Sequence, residues 1–233
     1  MISRNKLTYE ILEFLRSHLV DDEDIDIRQI ESFVKDYRAT FLKQRFDKDP
    51  FNIDSSCIQN IEGLEVIKED SSSLPGSLTH RYLLRTKLSI PDTIRRTGMI
   101  GTLIHIGSAD KLDSSFTITN YTTAIESGFG RFNRDEIFTF PYNNYIYFYS
   151  RGDDFKTIYN VNIRGVFADP EEAYLTNKTD VIYTGDENYY TSDDLKGYIV
   201  NSIIKDKYGI LINPPVDNKD DGMNNLESTK EKN

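Results

Sequence analysis

The spacing of the apolar residues changes twice along this chain of 233 residues, and the changes divide it into three zones. In residues 1–50 the apolar residues recur every three or four positions, the period of an amphipathic helix. From about Glu62 to Asp169 they fall in short runs rich in β-branched and aromatic residues, which favour strands. The helical spacing returns after residue 191. Helices at both ends of a β region, residues 51–190, predict an α+β fold.

Residues 1–50 predict a hairpin of two helices. Asp26 suits the N-cap of the second helix, with Gln29 three residues later, and the acidic run from Asp21 lies near the positive end of that helix. Pro50 cannot continue it. The first apolar stripe contains Leu7, Ile11, Phe14, Leu15 and Leu19, and the second contains Ile27, Ile30, Phe33, Val34, Tyr37 and Phe41.

The second helix also carries a basic face. It consists of Lys35, Arg38, Lys43 and Arg45. Charged side chains on a helix are mostly exposed, so we expect this face to be solvated. Docking of the face onto an acidic neighbour is the alternative.

The clearest strand unit is the segment IFTFPYNNYIYFYS, residues 137–150. Two short apolar runs flank a Pro-Tyr-Asn-Asn turn, which predicts a β-hairpin. Successive side chains of a strand point to opposite faces, so Tyr145, Tyr147 and Tyr149 share one face and Ile146 and Phe148 share the other. We expect an antiparallel sheet of sandwich or barrel type. Packing of the tyrosines is the usual role, and stacking of bases or sugars on them is the functional alternative.

Residues 191–212 predict a C-terminal helix that packs back on the core. Thr191 or Ser192 caps it, and Pro214-Pro215 prevents its continuation. Residues 213–233 are then an extended arm. From Asp217 onward the arm has two large apolar side chains, too few to offset about 1–2 kcal/mol of ordering entropy per residue. We expect a partner to order it. One face of this helix is shared by Leu195, Tyr198, Ile199 and Ile203.

The composition limits the class of function. A net charge of -10, from 38 acidic and 28 basic residues, disfavours binding of nucleic acid through a general basic surface. Cys57 is the single cysteine, so an intrachain disulfide and a Cys-rich zinc site are excluded. The sequence has no apolar run of about eighteen residues, and Glu10 and Glu13 interrupt the first apolar segment, so we expect no membrane span and no secretion signal.

Signatures of catalysis and metal binding are missing from the sequence. It contains no phosphate-binding glycine loop, no nucleophile elbow and no His-Glu-x-x-His helix. His18, His80 and His105 lack the spacing of metal ligands. A segment of the arm resembles a calcium loop, but Lys219 stands where an oxygen ligand is required and Ser228 stands where a bidentate glutamate is required. We therefore expect no enzyme activity, no metal and no cofactor; a small hydrolase built from scattered carboxylates is the alternative.

Two loops combine glycines with arginines. The segment IPDTIRRTGMIGT carries Arg95 and Arg96, and ESGFGRFNRDE carries Arg131 and Arg134. Glycine frees the backbone of such loops, and arginine pairs readily with carboxylates. In an acidic protein these four residues are candidate contacts to identical copies or partners. Two ordinary mobile loops are the alternative.

The order of these segments resembles that of structural proteins of tailed bacteriophages. The resemblance covers about residues 6–208 and rests on the loop LSIPDTIRRTGMIGT, the FGRF turn, the YIYFYS strand and the segment VNIRGVFADPEEA. The similar proteins are ring or head-to-tail connector proteins, also called portal adaptors, of crAss-like phages. No catalytic or binding motif is carried over, because the family role rests on surfaces.

The resemblance implies a virion protein at the head-tail junction, made in the cytoplasm of the bacterial host. It implies a protomer of a homo-oligomeric ring of twelve copies, which attaches to the portal, extends the DNA channel and docks further connector or tail proteins. DNA would pass through the lumen without sequence-specific contact, and no membrane is involved. A carbohydrate- or surface-binding β module, suggested by the tyrosine-rich hairpin, is the alternative function.

Overall fold

A computed structural model describes residues 2–18, 25–49, 53–70, 72, 74, 82–94, 101–109, 115–127, 129, 134–152, 154–178 and 181–209. These residues form five α-helices and seven β-strands, with helices at both ends, which confirms the α+β prediction. The helices are α1 (Arg4–His18), α2 (Ile27–Lys48), α3 (Tyr121–Glu126), α4 (Pro170–Asn177) and α5 (Asp193–Tyr208). The strands are β1 (Gln59–Asp70), β2 (Tyr82–Thr86), β3 (Leu103–Ser108), β4 (Thr117–Ile118), β5 (Phe138–Tyr142), β6 (Tyr145–Tyr149) and β7 (Asn160–Gly165).

The strands form one sheet that curls into a nearly closed barrel. Their order is β3-β7-β1-β2-β6-β5-β4, and every pair is antiparallel except β4 with β5. The two edges approach each other: the Phe116 amide donates to the Ile106 carbonyl at 2.8 Å, and Gly107 forms a bridge with Ser115. Of the two predicted sheet types, the barrel-like one is therefore correct.

Strand β1 bends at Gly63. Its first half pairs with β7 and its second half with β2, and the register with β7 shifts between Ile61 and Leu64. Gly63 has a φ of 69°, in the left-handed region that glycine adopts without steric penalty. The bend lets one strand serve both halves of the barrel wall. The interior is filled by Ile61, Leu64, Val66, Leu84, Ile106, Ile146, Phe148, Val161 and Ile163.

The hairpin of β5 and β6 has a tighter turn than predicted. Strand pairing continues through Pro141 and Tyr142, so the predicted four-residue turn was wrong, and only Asn143 and Asn144 form the loop. Both asparagines have positive φ, 47° and 62°, as the commonest two-residue hairpin turn requires. Pro141 is tolerated because the pairing of β5 with β4 ends at Thr139, which leaves no strand that needs its amide.

Helices α1, α2 and α5 pack together as a layer against the barrel. Asp26 caps α2 as predicted, since its carboxylate accepts a hydrogen bond from the Arg28 amide at 2.9 Å. Gly209, with a φ of 67°, ends α5. The helices bury Leu7, Ile11, Leu15, Ile30, Val34, Ile199 and Ile203 against one another. The predicted arm lies outside the described residues.

Candidate assembly surfaces

Arg38 is fully buried, so the prediction that it is solvated was wrong. Its Nε donates to the Tyr190 carbonyl at 3.0 Å and to Thr191 Oγ1 at 3.1 Å, and its Nη2 donates to Tyr190 at 2.8 Å. Its Nη1 donates to the carbonyls of Phe167 at 2.9 Å and Ala168 at 3.1 Å. These bonds tie α2 to the segment after β7 and to the segment before α5, so the helical layer is fixed on the barrel.

The Tyr189 ring and the Asp169 carboxylate also lie near Arg38. Its guanidinium lies 5.6 Å from the centre of the Tyr189 ring, and burial lowers the pKa of Arg38. Burial also raises the pKa of Tyr189, whose hydroxyl is buried without a hydrogen-bond partner in the described structure.

Two other members of the basic face pair within the chain. Lys35 pairs with Asp169, and Arg45 Nη1 lies 2.9 Å from Asp194 Oδ2. Lys43 is exposed as expected. Most of this face therefore holds α2 against neighbouring segments of the same molecule, which leaves little of it for a partner.

Arg4 lies beside Lys35 in a cleft of about 220 Å³ between α1, α2 and α4. Its Nη1 lies 2.6 Å from Glu171 Oε2 and its Nη2 lies 3.4 Å from Glu31 Oε1. Its guanidinium also covers the Tyr183 ring at 5.2 Å, and burial raises the pKa of Tyr183. These ion pairs connect α1 to both α2 and α4, so we assign them a structural role.

A second, larger cleft of about 460 Å³ opens where the N-terminal end of α5 meets the segment before β1. We call it the acidic cleft; it is lined by Ile2, Asp54, Ser56, Asn188, Thr191, Ser192, Asp193 and Asp194. Asp54 accepts hydrogen bonds from the amide and hydroxyl of Ser56. Asp193 is exposed and forms no ion pair with another described residue, whereas a hydrogen bond from the Ser192 side chain, with Arg45 nearby, lowers the pKa of Asp194.

A basic-aromatic patch, consisting of Phe129, Arg134 and Arg151, lies where β6 ends. Phe129 is 75% exposed, and the guanidinium carbon of Arg151 lies 3.2 Å from the centre of its ring. Arg151 is itself held by the carbonyls of Ser127 at 2.9 Å and Ile125 at 3.1 Å. The patch therefore presents a large exposed aromatic ring against an arginine that is held by two carbonyls.

Arg134, one of the four predicted interface residues, belongs to this patch. Its carbonyl accepts a hydrogen bond from the Gly152 amide at 3.0 Å, while its side chain is exposed. Arg95, Arg96 and Arg131 lie outside the described residues. Phe129 and Arg151 were not predicted. The glycine-flanked aromatic in ESGFGRF was an available signal for Phe129, whereas no sequence pattern indicated Arg151.

The tyrosine face of the hairpin is packed rather than open. The side chains alternate as predicted, but Tyr147 and Tyr149 are 4% and 1% exposed and pack with Leu83, Phe138 and Phe140. Tyr145 is half-buried, and the Arg85 guanidinium lies 4.1 Å from its ring centre. Two of the three rings required for stacking of bases or sugars are therefore inaccessible in this structure.

The histidines and acidic residues show no grouping for catalysis in the described part of the chain. His18 stacks on Phe14 with ring centres 4.2 Å apart, and His105 lies on β3 away from it; His80 lies outside the described residues. In the ranges given above, no set of three His, Cys, Asp or Glu residues is arranged to hold a metal ion. Nor does any helix there have the length and apolarity to cross a membrane.

Comparison with protein-family models matches residues 6–226 to the family described as Phage tail ring protein 2, from crAss-like phages. The chain belongs to this family. As a phage tail ring protein it is a structural protein of the virion, which confirms the predicted class. No curated protein matches the ring protein.

Proposed function

We propose that this ring protein is a protomer of a connector ring at the portal vertex. In this role it extends the DNA channel below the portal and provides a docking surface for further connector or tail proteins. The family match over residues 6–226 carries the proposal. The ring contains twelve copies, in keeping with the symmetry that the resemblance to connector proteins implies.

The negative net charge of the chain is suited to the wall of a channel through which DNA passes. With a net charge of -10, the protomer repels a phosphate backbone, so DNA slides past without being bound. The function in this proposal is structural, and it requires neither a catalytic residue nor a cofactor.

The structure also supplies the rigidity that a ring protomer needs. Arg38 fixes the helical layer on the barrel by five hydrogen bonds. Surfaces on the two layers therefore keep a constant relative geometry, which a closed ring with repeated contacts requires.

Cross-linking of intact virions with a lysine-reactive reagent, followed by mass spectrometry, tests the placement. We expect links from this chain to the portal protein and to a second tail protein. Links to the major capsid protein alone, or to distal tail-fibre proteins alone, would contradict the proposal.

A further inference from the structure

The acidic cleft and the basic-aromatic patch lie at opposite ends of the barrel. Strands β1 and β6 both pair antiparallel with β2, so they run in the same direction. Asp54 of the cleft precedes the start of β1, whereas Arg151 of the patch follows the end of β6. The register places Phe148, near the end of β6, opposite Leu84, and Leu84 opposite Lys68 of β1. Lys68 lies nine positions after Gln59, where β1 starts (68 − 59), and nine strand residues span roughly 30 Å.

The two surfaces are chemically complementary. Arg151 covers one face of the Phe129 ring, which leaves the other face and the edge exposed; the edge is the positive part of the quadrupole and is attracted to carboxylates. Arg134 adds a cation that forms no ion pair or hydrogen bond through its side chain with another described residue. Asp135 borders the patch at Gly152 and offsets part of this charge, so the ring is the main anchor.

The cleft has the features of a receptor for such an anchor. Its volume of about 460 Å³ lies in the range of about 300–1,000 Å³ typical of binding pockets. Asp193 is exposed without an ion pair among the described residues, so it is open to a cation from outside the chain. An arginine of a partner is well suited to pair with such a carboxylate.

We infer that the basic-aromatic patch of one copy docks into the acidic cleft of the next copy. One protomer carries both surfaces at opposite ends, which is the requirement for a head-to-tail contact that closes into a ring. Phenylalanine and arginine at the centre of the contact are residue types enriched at protein interfaces. This inference rests on the proposed function, because it assigns the contact by which the ring forms.

Engineered cysteines test the contact directly. The single native cysteine, Cys57, is buried, so cysteines placed at Arg134 and Asp193 are the reactive ones. In the full chain we expect mild oxidation of R134C/D193C to give a ladder of covalent oligomers, and either single variant to give none. Dimers from a single variant indicate a symmetric contact, and the absence of a ladder from the double variant means that these residues do not meet; either result overturns the inference.

Assembly of surface variants gives a second test. We expect F129A and D193K each to raise the concentration for half-maximal ring formation about tenfold or more, as hot-spot residues do. The matched controls, Y159A and K205E, alter an exposed aromatic and an exposed cation outside both surfaces, so they should leave this concentration unchanged. A mixture of F129A and D193K should stop at dimers, because only one intact patch and one intact cleft can meet.

The two proposals fail in different ways. If the wild-type chain forms rings and F129A and D193K form them equally well, the contact assigned here is wrong and the connector role stands. If wild-type virions contain no ring of this chain at the portal vertex but the cysteine ladder forms, the contact is correct and the connector role is wrong.

Discussion

Arg38 donates two hydrogen bonds to one carbonyl oxygen, that of Tyr190, from Nε at 3.0 Å and from Nη2 at 2.8 Å. Three further bonds reach Thr191, Phe167 and Ala168, so the buried cation is satisfied by carbonyl and hydroxyl oxygens. A buried polar group is costly unless it is hydrogen-bonded, so each acceptor here depends on the guanidinium as much as the guanidinium depends on the acceptors. This arrangement makes Arg38 the link between the helices and the barrel.

Substitution of Arg38 should therefore destabilise the fold strongly. In R38M the four acceptor residues lose their donor, and we expect the free energy of unfolding to fall by about 3 kcal/mol or more. R38K should recover only part of this loss, because an ammonium cannot reproduce the planar fork. Urea denaturation measures the change. The control is K43M, on the exposed side of the same helix, whose free energy of unfolding should lie within about 0.5 kcal/mol of wild type. Equal stability of R38M and K43M would contradict the role assigned to Arg38.

Two glycines should respond in opposite directions to substitution by alanine. At Gly63 an added Cβ meets no atom within 4 Å, so the cost of G63A is that of placing alanine at a φ of 69°, about 1–2 kcal/mol. Gly197 lies inside α5, and its Cβ would also meet no atom within 4 Å. G197A should stabilise the chain by about 0.5–1 kcal/mol through helix propensity. Thermal unfolding of both variants checks the difference; stabilisation by G63A would show that the bend at β1 is assigned wrongly.

Tyr189 should make the fold sensitive to alkaline pH. Burial raises its pKa above the ordinary value of about 10, so the folded state keeps this proton when the unfolded state loses it. The contribution of this pKa difference to the free energy of unfolding is fully present below about pH 10 and is lost as the pH rises above that value. Y189F should remove this pH dependence, and because the hydroxyl has no partner among the described residues, it should not destabilise the fold at pH 7.

Denaturation of wild type and Y189F at pH 8 and pH 11 tests this prediction, with Y159F as an exposed control. We expect the stability difference between wild type and Y189F to grow in favour of Y189F at the higher pH. Parallel loss of stability in both proteins would show that Tyr189 is not responsible.

Deletion of the arm should weaken assembly without unfolding the chain. Helix α5 is already closed by Gly209, so removal of residues 213–233 leaves the helical core intact. We expect circular dichroism and the melting temperature of the truncated chain to match the full chain, while ring formation is reduced. Undiminished ring formation would remove the arm from the assembly contacts.

Reversal of charge at Arg95 and Arg96 should impair ring formation if this loop contacts a neighbour. The double variant R95E/R96E places repulsive charge where we predict attraction to an acidic surface. Electron microscopy of the purified chain measures the fraction of closed rings. Lys68 and Lys43, both exposed, supply a control double reversal with the same change of charge. Normal rings from R95E/R96E would exclude these two residues from the contact.

Local patterns predicted most of the fold. The apolar spacing located α1, α2 and α5, and alternation along β6 assigned Tyr147 to one face and Ile146 to the other. Helix α4 begins at Asp169-Pro170, with the N-cap and first-turn proline that are typical of a helix start. Helix α3 was missed because its six residues are too few to show a helical period.

The burial of Arg38 and the clustering of the patch residues could not be predicted from the sequence. The acceptors of Arg38 lie about 130 and 150 positions later, and carbonyl groups carry no sequence signature. Likewise, Arg134 and Arg151 come together only because β5 and β6 pair. Such contacts depend on the tertiary fold, which residue spacing along the chain does not report.

Electron microscopy of the intact virion, with the vertex reconstructed around the tail axis, tests the central claim most directly. We expect twelve copies of this chain in a closed ring below the portal, with the patch of each copy against the cleft of the next. A vertex without such a ring, or this chain located only elsewhere in the particle, would contradict it.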